Sequence, residues 1–234
     1  MRKPLTIAVA QPSCLSHDVA ANALTHAATV TSAEARVVVF PELSLTGYEL
    51  EAQAINADDP RLAPIVEACR RAGSVALVGA PVRDERGGEH IAMLAVDASG
   101  VTVAYRKLWL GTEEARRFAP GDKPAVLELD GWRLGLAVCK DTGVPQHAAD
   151  TAALAMDAYV AGTVKHVEEK GLQDERARRV ATDHGVWVAV ASFAGPTGGG
   201  FANTAGCSGI WAPGGALITQ AGPEIGAVAR ATLA

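Results

Sequence analysis

The sequence predicts an α/β sandwich, with mixed sheets and helices on their outer faces. Three observations predict it. Short continuous apolar runs such as Val37-Val38-Val39-Phe40 suit strands covered on both faces. Those runs alternate with segments of helical period, and hairpin signals break the alternation, so the sheets cannot be wholly parallel.

Taken in order, Leu5–Val9 is a β-branched and apolar run closed by Gln11-Pro12, an opening strand. Val19–Glu34 carries alanines and leucine at helical spacing, and Ala35–Phe40 is the next strand, ended by Pro41. Asp59–Ala72 is a second helix, followed by the strand Val75–Gly79. His90–Asp97 and Val101–Tyr105 form a hairpin around Ala98-Ser99-Gly100. Leu134–Val138 is a strand that runs into Cys139. A helix over Gln146–Ala155, a strand over Ala158–Ala161, a long charged helix over Val167–His184 and a strand over Val186–Ser192 continue the alternation. Gly195–Gly200 is a flexible loop, and the last third returns to β with Ser208–Trp211 and Ala216–Thr219 flanking Pro213-Gly214-Gly215.

The 234 residues are 49% hydrophobic and 20% charged, enough for one core-forming domain over residues 1–234 without disulfide or metal staples. A net charge of −5 with no sustained basic run excludes nucleic acid as a natural partner. The apolar stretch after Met1-Arg2-Lys3-Pro4 is too short for a signal peptide or a membrane span, so a cytoplasmic location with no membrane partner is expected. Cys14, Cys69, Cys139 and Cys207 contain no C-x-x-C pair, which leaves out zinc ribbons and thioredoxin-like motifs and predicts free thiols in a reducing compartment.

Candidate chemistry gathers at strand ends, where α/β sheets place their sites. Glu42 follows the strand that ends at Phe40-Pro41, and Cys139 ends the strand Leu134–Val138. A strand-end thiol is more accessible than a packing cysteine, and the adjacent Lys140 favours its thiolate. None of the six histidines makes a compelling base for it; His147, the nearest in sequence, reads as a cap or surface residue. A glutamate whose pKa is raised by burial is the alternative base. Lys107, at the end of the Val101–Ala104 strand, can stabilise an oxyanion in a dry pocket.

These motifs resemble those of the nitrilase superfamily of carbon–nitrogen hydrolases over Leu5 to about Ile218. Phe40-Pro41-Glu42-Leu43-Ser44-Leu45-Thr46-Gly47-Tyr48 is similar to the family's first motif. Tyr105-Arg106-Lys107-Leu108, with Glu114 and Phe118-Ala119-Pro120-Gly121-Asp122, is similar to the second, and Gly135–Asp141 to the third. The resemblance implies a four-layer α-β-β-α sandwich and a Glu-Lys-Cys triad: Glu42 as base, Lys107 as oxyanion-stabilising cation and Cys139 as nucleophile. It implies Glu114, with Glu113 as fallback, as a second positioning glutamate, and the Lys140 backbone N–H as an oxyanion donor. Tyr48, Trp109, Val164 and Phe193 are the accompanying substrate-binding candidates, with Lys165, His166 and Phe201 more loosely placed. The implied activity is hydrolysis of a small amide or N-carbamoyl compound, without metal or organic cofactor, in a homodimer or higher homo-oligomer. Nitrile hydrolysis and a non-catalytic binding protein of the same fold are the alternatives, as is a redox thiol that takes Cys207 as its resolving partner.

The sequence departs from the family after Cys139. Lys140 stands where an aromatic residue or asparagine is frequent, and Val144-Pro145-Gln146 replaces a Phe-Pro-Glu. The Lys140 charge is expected to repel cationic substrates or bind anionic ones. The chain also ends soon after the last hairpin, without the longer tail that many members exchange across a dimer.

Overall fold

The structure, a computed structural model, describes residues 2–234. Alternate residues of its strands face two different cores, which is why the strand sequences are apolar throughout. In β1 (Leu5–Ala10), Ile7 and Val9 point one way while Ala8 and Ala10 point the other; β2 (Val37–Val39) divides Val37 and Val39 from Val38 in the same manner. β7 (Trp132–Val138) sends Leu134, Leu136 and Val138 into the first of these cores, joined there by Val160 of β8 (Ala158–Thr163) and Ala189 of β9 (Trp187–Ser192).

Two six-stranded sheets result. The first has the order β12-β1-β2-β3-β4-β5, with β3 at Val75–Arg83, β4 at Glu89–Asp97, β5 at Gly100–Arg106 and β12 at Val228–Leu233. The second has the order β11-β10-β9-β8-β7-β6, with β6 at Val126–Leu129, β10 at Gly209–Trp211 and β11 at Leu217–Gln220. Each has three parallel strands at its centre, β1-β2-β3 and β7-β8-β9, flanked by antiparallel ones.

The sheets share the middle core. The outer face of the first is covered by α1 (Val19–Ala33) and α2 (Ala63–Ala72), through Ala23, Val30, Ile65 and Ala68. The second is covered by α3 (Pro145–Ala152) and α4 (Lys170–His184), through Ala148, Ala177, Val180 and Ala181. Three cores between four layers are the α-β-β-α sandwich that the resemblance implies. Leu136 is fully buried in the central core, where truncation to alanine costs about 2–5 kcal/mol.

Local chemistry explains where the elements depart from the expected bounds. The helix predicted from Asp59 begins as a 3₁₀ turn, Pro60–Leu62, whose first free amide, at Arg61, bonds Asp59 Oδ1 at 2.9 Å; the α-helix starts only at Ala63, with Pro64 in its first turn. The helix predicted from Val167 opens likewise with a separate 3₁₀ turn, Val167–Glu169. α3 stops at Ala152, and Ala155 turns the chain in the left-handed region, φ 56°. β3 runs on through Pro81 because β2 leaves that edge at the Val39–Leu77 pair.

Two strands were outside the sequence reading. β6 joins β7 across Asp130-Gly131, both at positive φ (52° and 81°), a two-residue hairpin whose Asp-Gly signal is visible in the sequence. β12 follows the hairpin taken as the last, and pairs antiparallel with β1 from Leu5↔Leu233 to Ala10↔Val228. Its alanines and arginine give a weak strand signal. Among the described residues, no helix is long and apolar enough to cross a membrane.

Candidate active site

The carboxyl-terminal ends of β2, β5 and β7 open onto one place between the sheets. Glu42 is three residues past β2, Lys107 directly follows β5, and Cys139 directly follows β7. The Glu42 segment is held from both sides. Phe40 N–H extends the ladder to Leu77 O at 2.9 Å and Leu45 N–H reaches Gly79 O at 3.0 Å. A Cβ on Gly79 of β3 would lie 2.3 Å from Leu43 N and 2.5 Å from Pro41 O, and one on Gly162 of β8 would lie 2.6 Å from Phe40 O. One glycine from each sheet thus makes room for the same loop.

Lys107 is 1% exposed, a cation that burial would penalise heavily without partners. Its Nζ donates to Glu42 Oε1 at 2.6 Å and to both oxygens of Glu114 at 2.8 Å. Burial alone pulls the Lys107 ammonium down in pKa; Glu42, Cys139 and Glu114 outweigh it and hold the amine above its usual range. Glu114 opens a 3₁₀ turn, Glu114–Arg116, and also accepts Gly111 N–H at 2.6 Å and the Tyr48 hydroxyl at 3.1 Å. Glu113, the fallback, is exposed and pairs with Arg116 at 2.5 Å.

Burial pushes the Glu42 carboxyl up to about 7, with Lys107 pulling the other way. Its second oxygen, Oε2, is buried and has no hydrogen-bond partner among the described residues. This free acceptor belongs to a carboxyl whose charge acts directly on the Cys139 thiol. Burial, and next the Glu42 charge, push that thiol up to about 12, against Lys107 and Lys165. Sγ donates to Val164 O at 3.4 Å, and Cys139 takes a left-handed backbone, φ 44°, which turns the chain sharply out of β7 into a 3₁₀ turn.

Several expectations change at this point. Cys139 is buried, not open. The Lys140 ammonium, exposed, donates to Leu110 O at 2.6 Å; the cations that act on the thiol are Lys107 and Lys165. His147 is neither cap nor surface residue but is buried, bonded to the hydroxyls of Tyr105 at 2.9 Å and Tyr159 at 2.8 Å. Phe193 packs in the central core, and Trp109 lies half exposed with its N–H on Asp141 Oδ1 at 2.9 Å.

An open depression of about 550 Å³ leads to Glu114 and Tyr48, walled by Leu50, Thr112, His166 and Phe201. The Phe201 ring stacks on His166 at 4.2 Å and meets Tyr48 edge-on at 5.2 Å. Glu49, Glu51 and Glu113 also line it, with no lysine or arginine among the described lining residues. Glu49 and Glu51 escaped the sequence reading, although both lie within three residues of Tyr48. No group of three or more His, Cys, Asp or Glu among the described residues is arranged to hold a metal ion.

Residues 6–234 match the carbon–nitrogen hydrolase family model. The chain is 30% identical over 178 residues to the "hydrolase in pqqF 5'region" of Pseudomonas protegens, covering 73% of this chain and 62% of that protein. It is 28% identical over 128 residues to an (R)-stereoselective amidase of Pseudomonas sp, covering 53% of this chain and 46% of that protein. The chain thus spans less than two thirds of the length of either curated relative. In fold it is similar to Nit3 of Saccharomyces cerevisiae, a member of branch 10 of the nitrilase superfamily: TM-score 0.87, 20% identity, 99% of this chain and 90% of that one. It is also similar to an amidase of Nesterenkonia sp. AN1 bearing the acetamide moiety of fluoroacetamide at its active-site cysteine, with TM-score 0.86, 25% identity, 98% of this chain and 90% of that one. With the family model matching residues 6–234, on two sheets that overlay nitrilase-superfamily structures, the chain belongs to the carbon–nitrogen hydrolase family.

Proposed function

We propose that this protein hydrolyses the carbon–nitrogen bond of a small amide through a thioester on Cys139. The observation that carries the proposal is the buried Lys107 ammonium, shared by Glu42 and Glu114 beside a thiol, with one Glu42 oxygen left free. The thiol is neutral at rest, so attack and proton transfer go together: Glu42 takes the Cys139 proton as sulfur bonds the carbonyl carbon. The carbonyl oxygen becomes an oxyanion, stabilised by the Lys107 ammonium and the Lys140 backbone N–H. Glu42 then passes its proton to the amide nitrogen, the C–N bond breaks and the amine leaves. A water that gives its proton to Glu42 attacks the thioester; the acid departs and the proton returns to sulfur. Glu114 fixes Lys107 through two hydrogen bonds and does not exchange protons.

The mouth selects charge. Glu49 and Glu51 repel an approaching carboxylate, Glu113 being paired with Arg116, while Lys165 within is engaged with Glu169 at 3.5 Å. Uncharged aliphatic amides therefore fit this site better than N-carbamoyl amino acids. Incubating wild type and Cys139→Ala with both classes, and reading ammonia release beside intact mass, tests the proposal. Ammonia and an acyl adduct that vanish in Cys139→Ala support it; no ammonia from either class, with Cys139 unmodified, refutes it.

A further inference from the structure

Lys107 and Cys139 stand on different sheets, and no covalent path shorter than 32 residues joins them. What fixes their separation lies beneath them. The Asp141 carboxylate, fully buried, accepts Val138 N–H at 2.9 Å and the Tyr105 hydroxyl at 2.8 Å on Oδ2, and Trp109 N–H at 2.9 Å on Oδ1. The Tyr105 oxygen accepts Leu108 N–H at 3.2 Å. The amides at 108 and 109, just past Lys107, and the amide at 138, just before Cys139, therefore converge on one two-residue unit.

His147 completes it with a defined proton order. Tyr105 gives its hydroxyl proton to Asp141, so its contact with His147 Nε2, 2.9 Å away, requires N–H on that nitrogen. His147 Nδ1 is then the acceptor for the Tyr159 hydroxyl at 2.8 Å. Burial lowers the His147 pKa, against Asp141 and Asp150, and raises both tyrosines, which keeps this neutral arrangement in place. The Tyr105 oxygen donates once, to Asp141, and accepts from Leu108 N–H and His147 Nε2–H, and the charge of this hydrogen-bonded group is the Asp141 carboxylate with its three donors.

Resting on the hydrolase reading for its catalytic consequence, we infer that Tyr105, Asp141 and His147 form a cross-sheet brace that sets the distance between the Lys107 ammonium and the Cys139 thiol. They are positioning residues, since the brace reaches the site through backbone amides. A displacement of about 1 Å between reacting groups can cost on the order of a hundredfold in rate. Substrate contacts at the mouth are untouched by it, so the loss falls on kcat and not on KM.

The test compares Tyr105→Phe and Asp141→Asn with Ser74→Ala. Ser74 Oγ donates to Ala35 O at 2.6 Å, buried at the opposite ends of the strands, so this variant reports general loosening. Two quantities are read for each: kcat and KM on a neutral amide, and the rate of Cys139 alkylation by iodoacetamide at fixed pH. The brace predicts that Tyr105→Phe loses roughly ten- to a hundredfold in kcat with KM within about twofold. Alkylation falls in parallel because the thiolate is less well stabilised, and Ser74→Ala changes neither. Equal losses in Ser74→Ala, a loss carried by KM, or a Tyr105→Phe enzyme with unchanged kcat and alkylation each overturn it. Should wild type hydrolyse no amide, the hydrolase reading fails by itself, and the alkylation ratios still decide the brace. Asp141→Asn supplies the second variant if Tyr105→Phe is recovered in too low a yield.

Discussion

Replacing Glu42 by glutamine separates the two consequences of burying that carboxylate. Glutamine keeps an oxygen for Lys107 and nearly the same volume, but never ionises. In the wild type, burial lifts the Glu42 pKa from an ordinary 4.5 to about 7. A carboxyl raised on folding gives stability that is complete below its unfolded pKa and is lost as pH rises through the folded one. Wild type therefore forfeits stability between about pH 4.5 and 7 that Glu42→Gln retains. The shift corresponds to roughly 3 kcal/mol at pH 8 and under about 1 kcal/mol at pH 5. Any fixed cost of the glutamine, such as an unpartnered NH₂ in place of Oε2, is the same at both pH values and cancels in the difference. The stability gap between variant and wild type should widen in the variant's favour by roughly 2 kcal/mol from pH 5 to pH 8, or about 4–8 °C in Tm for a chain of this size. Thermal melts of both proteins at the two pH values measure it, with ammonia release on the same samples expected to fall about 10²–10⁴-fold. A gap that stays constant with pH means that Glu42 is not held ionised at a cost, and the account of its basicity fails.

Three further outcomes follow from the same geometry. The pH profile of kcat/KM should fall on the acid side with an apparent pKa near 7, because Glu42 must be ionised to accept the thiol proton; a limb nearer its ordinary 4.5 in a stopped-rate assay contradicts this. Gly162→Ala places a methyl 2.6 Å from Phe40 O and 3.1 Å from Glu42 N. It should destabilise by about 1–3 kcal/mol in urea titrations and lower kcat beyond what that loss explains. Substituting Glu49 and Glu51 together by glutamine should raise kcat/KM on an anionic amide at low salt while leaving a neutral amide within about twofold, and the difference should shrink as salt is added.

Much of the fold was legible because each strand carries its own signal. Continuous runs such as Val37–Phe40 and Leu134–Val138 mark strands buried on two faces, with Glu42 two residues past the first and Cys139 directly after the second. Glu42, Lys107 and Cys139 could be named from that placement and from the motif resemblance, and the structure brings the three together. What escaped depends on partners far away in sequence. His147 lies on a short helix whose pattern says nothing about Tyr105 and Tyr159, which bury it. Lys140 looked like the cation for the thiol because it is adjacent in sequence, yet the turn at Cys139 directs it to Leu110. β12 is too rich in alanine to announce itself and is specified by β1, more than 200 residues earlier. β6 is a different case: its Asp-Gly turn was there to be read.

The division of the site between the sheets has a consequence for how the protein reaches its native state. Glu42 and Lys107 come from strands of the first 106 residues and their exits, Cys139 from the second sheet, and the last strand of the first sheet is supplied by Val228–Leu233. Contacts of such long range form late, since the entropy of closing large loops is spent before they reward it. During synthesis, the first sheet would wait for its edge strand until Val228–Leu233 emerges. A nascent chain halted near residue 200 would carry Gly79, Gly162, Glu42, Lys107, Glu114 and Cys139 without β12. The protection of Cys139 against alkylators then becomes a clock for the docking of the two sheets.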